Sequence, residues 1–191
     1  MNTVQPIRSK AQVRDIADYL LSYSKRDYIL FMFGIYSGLR ISDILPLKAR
    51  DVRNRNRLTI REKKTAKEKA VFLNAELQKA LKPYVENLND WDYLFPSRQQ
   101  ASRTSKDKNA RPLTRQRAIQ ILKAAAARFG VEDVGTHTLR KTFGYHMYND
   151  TKDIATLQTI FNHASPLVTL RYIGIDQDRK DNLVKNFSFT K

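Results

Sequence analysis

Residues 28–36, YILFMFGIY, run without a single charged or amide side chain, and they constrain the fold more than any other part of the sequence. A helix that is apolar on every face belongs inside a core or a membrane, and a membrane span needs about 18 such residues. At half that length the segment predicts a central helix that neighbouring elements must cover on all sides, ending at Gly38. Val13, Ile16, Ala17, Leu20 and Leu21 recur at helical spacing from Ser9 onward and predict the first covering helix. With 191 residues, 41% of them hydrophobic and 10% aromatic, the chain can bury one such core, and a single domain over 1–191 is expected. The N-terminus MNTVQPIRSK has no apolar stretch, so neither secretion nor membrane insertion is expected.

Ile41 to Leu45 predicts a short further helix, broken at Pro46 before the basic turn Lys48 to Arg50. The stretches 57–61 (RLTIR) and 70–73 (AVFL) carry β-branched or aromatic residues on either side of the polar EKKTAKEK, and predict a β-hairpin with its charges at the bend. Residues 75–88 are helical in pattern, and 91–95 form a brief extended piece stopped by Pro96. The stretch 97–112 sets Arg98, Arg103, Lys106, Lys108 and Arg111 against the single acid Asp107, which suits a solvated linker and a phosphate-touching loop equally. Helical patterns follow over 114–129, 137–148, 153–161 and 166–172. The expected fold class is mainly α with a small antiparallel β-sheet (α+β).

Lys and Arg total 35 against 19 for Asp and Glu, a formal net charge of +16 that exceeds what solubility requires. A polyanionic partner follows, and nucleic acid is the commonest, although charge alone does not separate an enzyme from a ribosome-associated protein. The absence of cysteine excludes disulfides, thiolate nucleophiles and Cys-based zinc sites, and suits a reducing cytoplasm. The three histidines form no metal-ligand pattern, so neither metal nor cofactor is expected.

The chemistry concentrates in three segments. In THTLRKTFGYH, His137 and Arg140 stand three apart and would share one helical face, so an imidazole and a guanidinium can serve one target. Such a pair arises often by chance, and alone it describes a surface or satisfied core histidine. In NHASPLVTLRYIG, His163 precedes Tyr172 by nine positions, with Ser165-Pro166 starting a short helix between them. In GLRISDILPL, Arg40 follows the apolar helix and a Gly-Leu turn. Taken along the chain as a GLR box, a β-hairpin lysine, an HxxR box and an NH…Y box that span nearly its whole length, these segments resemble the signature boxes of the tyrosine recombinases of the phage integrase family.

The resemblance implies that family's catalytic-domain fold and site-specific cleavage and rejoining of double-stranded DNA through a covalent 3′-phosphotyrosine, on a tetramer of the chain. Tyr172 is then the nucleophile, and Arg40 and Arg140 clamp the scissile phosphate, a role that suits planar guanidiniums because they bind phosphate oxygens in bidentate fashion and never lose their charge. A free phenol has a pKa of about 10 and needs help near neutrality. His137 is the group to take its proton, and His163 donates to a phosphate oxygen. The leaving 5′-hydroxyl needs an acid, which the resemblance places as a lysine at the hairpin bend. Four lysines lie there, and the segment K-T-A-K, set against the family's K-T-G-K, selects Lys64, leaving Lys63, Lys67 and Lys69 as backbone contacts or solvated charges. Asp43, three residues after Arg40, is placed to orient a neighbouring group.

Two positions depart from the commonest family pattern: Asn162 stands where Gly usually precedes the second histidine, and Lys141 follows Arg140 where His is frequent. Tyr145, His146 and Tyr148 are expected to pack. Family members usually carry an N-terminal helical DNA-binding domain, which is expected to be absent because the sequence starts where the catalytic domain should. The tail 176–191 places Leu183, Val184 and Phe187 at helical spacing, a stripe that packs on its own domain or docks on a neighbouring protomer. A catalytically idle DNA-binding accessory protein is opposed by the intact set of five residues, and a type IB topoisomerase by the short chain and its NHASPLVTLRYI box.

Overall fold

The structure is a computed structural model that describes residues 4–61, 68–97 and 111–189. Ten helices and one hairpin are described: α1 (Lys10–Tyr23), α2 (Lys25–Ser37), α3 (Ile41–Ile44), α4 (Ala49–Val52), β1 (Arg57–Arg61), β2 (Glu68–Phe72), α5 (Ala75–Val85), α6 (Arg115–Ala127), α7 (Thr138–Thr151), α8 (Ile154–Phe161), α9 (Pro166–Ile173) and α10 (Ile175–Lys185). The mainly helical class with a small antiparallel sheet is the observed architecture. Side-chain oxygens start most of the longer helices: Ser9, Ser24, Asn74, Thr114, Asp153 and Ser165 each accept an otherwise unpaired backbone N–H of the first turn.

The apolar segment forms α2, which packs against α1, α5 and α7. Ile29, Leu30, Phe31 and Phe33 keep at most 1% of their surface, and burial of this kind contributes about 1.5–3 kcal/mol per side chain. Gly38 closes the helix at φ +61, a left-handed conformation in which a Cβ would also sit 2.5 Å from Phe143 Cδ1. In the hairpin, Leu58 faces Val71 and Ile60 faces Lys69, with Leu58, Ile60 and Val71 turned into the core. The second strand starts two residues earlier than the sequence pattern suggests, because Glu68 and Lys69 still pair with Arg61 and Ile60. The expected basic turn at Lys48 is instead the start of α4: the Asp51 carboxylate accepts the Lys48 backbone N–H, completing a first turn. The piece 91–95 makes only an isolated bridge, between Tyr93 and Lys48.

Two clusters of buried side chains result. The larger unites α1 to α6, the hairpin and Leu139 at the start of α7. The smaller, built on Tyr148, Leu157, Phe161, Ile173 and Ile175, binds α8, α9 and the start of α10 to the far end of α7. Gly144 lets α7 approach this second cluster, since a Cβ there would fall 2.7 Å from both Ile173 Cγ2 and Phe161 Cε2. Gly144→Ala is therefore expected to lower stability by about 1–3 kcal/mol through overpacking, outweighing the helix-propensity gain of about 1 kcal/mol. A denaturant midpoint equal to or above the wild-type value would show that the helices separate freely.

Candidate active site

Each of the three sequence boxes ends on a helix terminus, and the fold brings those termini together. Arg40 is the residue before α3, His137 is the residue before α7, and Tyr172 lies in the last turn of α9. His137 therefore does not share a regular helical face with Arg140. It caps the helix, and Arg140 is the third residue inside, which still leaves both side chains at one end of α7.

Arg140 is the most constrained of the set, 2% exposed. One guanidinium nitrogen donates to the Gly38 carbonyl at 2.7 Å, and another to the Phe161 carbonyl at 3.1 Å. Its central guanidinium carbon lies 4.3 Å from the Phe161 ring centre. Its position thus depends on the turn after α2 and on the end of α8. Arg40 is mostly buried, with a guanidinium nitrogen 3.9 Å from the buried Asp43 carboxylate, an ion pair within one turn of α3.

The Tyr172 hydroxyl lies 3.0 Å from His137 Nδ1. Burial pushes the tyrosine up from its ordinary value, while Arg140, which hydrogen-bonds it, and Arg40 pull the other way. Burial lowers His137, and Arg140, Arg40, Lys141 and Arg115 lower it further. A neutral imidazole therefore faces an un-ionised phenol, the pair of states from which a proton can pass from Tyr172 to His137.

His163 stands on the other side of the tyrosine, ring centres 4.9 Å apart, and also packs against Phe161 at 5.3 Å. Its Nδ1 is 3.1 Å from the Thr169 hydroxyl. Burial lowers His163 as well, followed by Arg140 and Arg40. The preceding Asn162 closes α8 at φ +53. Asn tolerates the left-handed conformation better than other non-glycine residues, which explains why it serves where the family usually has Gly.

Lys64 lies outside the described residues, as do Lys63 and Lys67. Lys69 is described: its ammonium donates to the Ile160 carbonyl, fastening the hairpin beside Phe161 and hence beside the Arg140 seat. Tyr148 packs in the second cluster, and His146 bonds the Ile7 carbonyl at 2.9 Å, structural roles both. Sequence reasoning missed two contributors. Thr169, fully buried, holds His163, and Lys141 reaches from beside the Tyr172 ring, 5.3 Å away, to the Val4 carbonyl at 2.6 Å. Among the described residues no three His, Asp or Glu side chains gather closely enough to hold a metal ion. No helix among them is long and apolar enough to cross a membrane.

Comparison with known proteins shows the family of the chain. The phage integrase family profile matches residues 8–179. The probable integrase/recombinase YoeC of Bacillus subtilis (strain 168) is 50% identical over 178 residues, which is 93% of either chain. The tyrosine recombinase XerA of Thermococcus onnurineus (strain NA1) is 31% identical over 169 residues, 87% of this chain but 57% of that one. The chain thus spans little more than half the length of that relative. Its fold is similar to that of the XerH site-specific recombinase solved as a post-cleavage complex with palindromic difH substrate, with a TM-score of 0.70 and 20% identity over 97% of this chain and 54% of the other.

The electrostatics give a direct test without DNA. In the free protein His137 and His163 are expected to titrate below 6.5, and Arg40→Ala to move both upward, since one positive neighbour is removed from each. His146 is lowered too, so over the range below about 6.5 the unfolded chain binds more protons than the folded one, and stability falls as pH drops. Imidazole titration by NMR measures the shifts, and a His137 that titrates at or above 6.5 would contradict the charge arrangement.

Proposed function

The chain belongs to the phage integrase family and is a tyrosine recombinase, an enzyme of site-specific DNA recombination; from its site we propose that Tyr172 is the nucleophile of a 3′-phosphotyrosine mechanism. The observation that carries this reading is the 3.0 Å approach of His137 Nδ1 to the Tyr172 hydroxyl beside the Arg140 guanidinium. Arg40 and Arg140 hold the nonbridging oxygens of one phosphodiester, where charge accumulates in the transition state. The Tyr172 oxygen attacks phosphorus as its proton passes to His137. The bond from phosphorus to the 5′ oxygen breaks, and that oxygen takes a proton from Lys64. Strand joining is the reverse: a 5′-hydroxyl gives its proton to Lys64 as its oxygen attacks the phosphotyrosine, the bond from phosphorus to the Tyr172 oxygen breaks, His137 returns its proton to Tyr172, and the phosphodiester is restored. His163 donates to a nonbridging oxygen throughout.

Double-stranded DNA is the partner we infer, consistent with the +16 charge and with the difH-bound XerH relative, and the site of action is the bacterial or phage DNA in the cytoplasm. Four protomers assemble on it. The tail supports that assembly: Leu183 and Val184 near the end of α10 are about three-quarters exposed and Phe187 just beyond it is 66% exposed, an apolar stripe that a second copy of the chain covers.

Tyr172→Phe is expected to keep DNA binding and to lose the covalent adduct that the wild-type chain forms with a nicked suicide substrate. A protein–DNA adduct that survives denaturing electrophoresis after this substitution would remove the nucleophile assignment.

Sulfur in place of the bridging 5′ oxygen separates acid catalysis from phosphate binding. A thiolate leaves unaided near neutrality, the free thiol having a pKa of about 8.5, whereas an alkoxide does not. Lys64→Ala is expected to be severely slow on ordinary DNA and to recover most of its cleavage rate on the sulfur-bridged strand, while Arg140→Ala stays slow on both. Rescue of Lys63→Ala or Lys67→Ala instead would reassign the acid.

A further inference from the structure

We infer that Thr169 is a positioning residue for His163: its hydroxyl oxygen takes the imidazole Nδ1–H and so dictates the state in which Nε2 meets the scissile phosphate. The inference rests on the recombinase reading of the site and deepens it.

Thr169 is fully buried, with its Oγ1 3.1 Å from His163 Nδ1 and 3.2 Å from the Ser165 carbonyl, to which it donates. A hydroxyl carries one proton, and a carbonyl oxygen can only accept. With that proton on Ser165, the Thr169 oxygen offers His163 lone pairs alone, so Nδ1 must be the donor. Ser165 is itself fixed, because its side chain caps α9 on the Val168 N–H while its carbonyl starts the helix by accepting the Thr169 N–H. His163 is held from its other side by backbone: its N–H donates to the Gln158 carbonyl, and its carbonyl accepts from the Gln158 amide.

Two consequences follow for the chemistry. A neutral His163 carries its single proton on Nδ1 and presents a bare Nε2, which repels a phosphate oxygen instead of binding it. Only the imidazolium, with a proton on each nitrogen, donates to phosphate. The charged groups facing the ring are Arg140 of α7 and Arg40 before α3, and the third titratable group is Tyr172 of α9. Both guanidiniums disfavour a further positive charge while the site is empty of anion. A phosphodiester between them cancels much of that repulsion, so the second proton arrives with the DNA. His163 thus becomes a donor only when a phosphate is present, and Thr169 is what removes the alternative, a neutral Nε2–H tautomer that would donate at any pH.

The tautomer is read directly by 15N NMR of imidazole-labelled, DNA-free protein above the histidine titration range, with His163→Gln to assign the signal among the three histidines. We expect Nδ1–H in the wild type and in Thr169→Ser, and a shift toward Nε2–H in Thr169→Val. In single-turnover cleavage of a suicide substrate, the wild-type rate falls on the alkaline side as His163 loses its second proton. Without the hydroxyl the neutral Nε2–H form becomes available and still donates to phosphate, so in Thr169→Val the alkaline fall that His163 causes is lost, and the rate at a fixed alkaline pH stays closer to its own plateau than the wild-type rate does. Thr169→Ser restores the profile, which a merely steric role would not do. An Nε2–H wild-type tautomer, or a Thr169→Val protein with unchanged tautomer and profile, overturns the inference. Absence of any Tyr172 adduct in the wild type would instead overturn the recombinase reading and leave the tautomer result standing.

Discussion

The Arg140 guanidinium joins the two clusters of the core, which also meet along α7 and through the bond from Lys69 to the Ile160 carbonyl. Gly38, which accepts one of its hydrogen bonds, ends the central helix of the large cluster, and Phe161, which accepts the other, is a core residue of the small one. A buried charge is tolerated only where its protons find partners, and here the partners are carbonyls left open by helix ends. The same side chain that we propose holds a phosphate therefore sets the distance between the cluster that carries Arg40 and the one that carries His163 and Tyr172. Arg140→Lys is not conservative in such a seat, since an ammonium cannot reproduce a planar fork that spans two carbonyls and still faces an anion.

Those positive charges also determine when the site reacts. Burial raises Tyr172 while burial and cations lower His137, so in the free enzyme the proton is held on the tyrosine by two effects in the same direction. A bound phosphodiester changes both. It neutralises the repulsion that keeps His137 from accepting a proton, and it provides the electrophile toward which phenolate charge flows. In the proposed mechanism reactivity arises from the substrate's own charge completing the site, which keeps the half-buried Tyr172 un-ionised away from DNA.

Much of this was legible in the sequence because the informative signals are local. The apolar run 28–36 announced the central helix, Ser-Pro at 165–166 the start of α9, and the motifs around His137, Arg140, His163 and Tyr172 a set of side chains that the fold does bring together. Asn162 looked like a departure until its positive φ made it a substitute for glycine. His137 proved to be a cap because whether a helix begins at a residue or just after it depends on the turn before it, here held by the Thr138 hydroxyl on the Gly135 N–H. Thr169 was invisible for a different reason. A threonine on a short helix carries no pattern, and its role exists only because the chain between Phe161 and Ser165 turns His163 back onto it. Contacts from residue 4 to residue 141 and from residue 7 to residue 142 are likewise beyond any local rule.

Those long-range contacts belong to an N-terminal strap whose reach bears on assembly. Val4 receives the Lys141 ammonium and packs against Gly135, Ile7 donates to Thr142 and accepts from His146, and Arg8 pairs with Asp178 on α10. The strap thus touches the helix that carries Arg140, the loop that leads to His137, and the helix that follows Tyr172. Its inner bonds are buried or partly buried, whereas the Arg8–Asp178 pair is solvent-accessible, and exposed pairs of this kind contribute about 1 kcal/mol or less. Beyond it, Arg179 donates to the Tyr148 hydroxyl, and from Leu183 onward the helix buries nothing. Holding α10 in place is therefore cheap compared with holding the strap. Departure of the tail to another protomer would cost this chain a few surface contacts while releasing the segment immediately after the proposed nucleophile, so the proposed assembly would act on Tyr172 through the helix that follows it and leave the Arg140 seat intact.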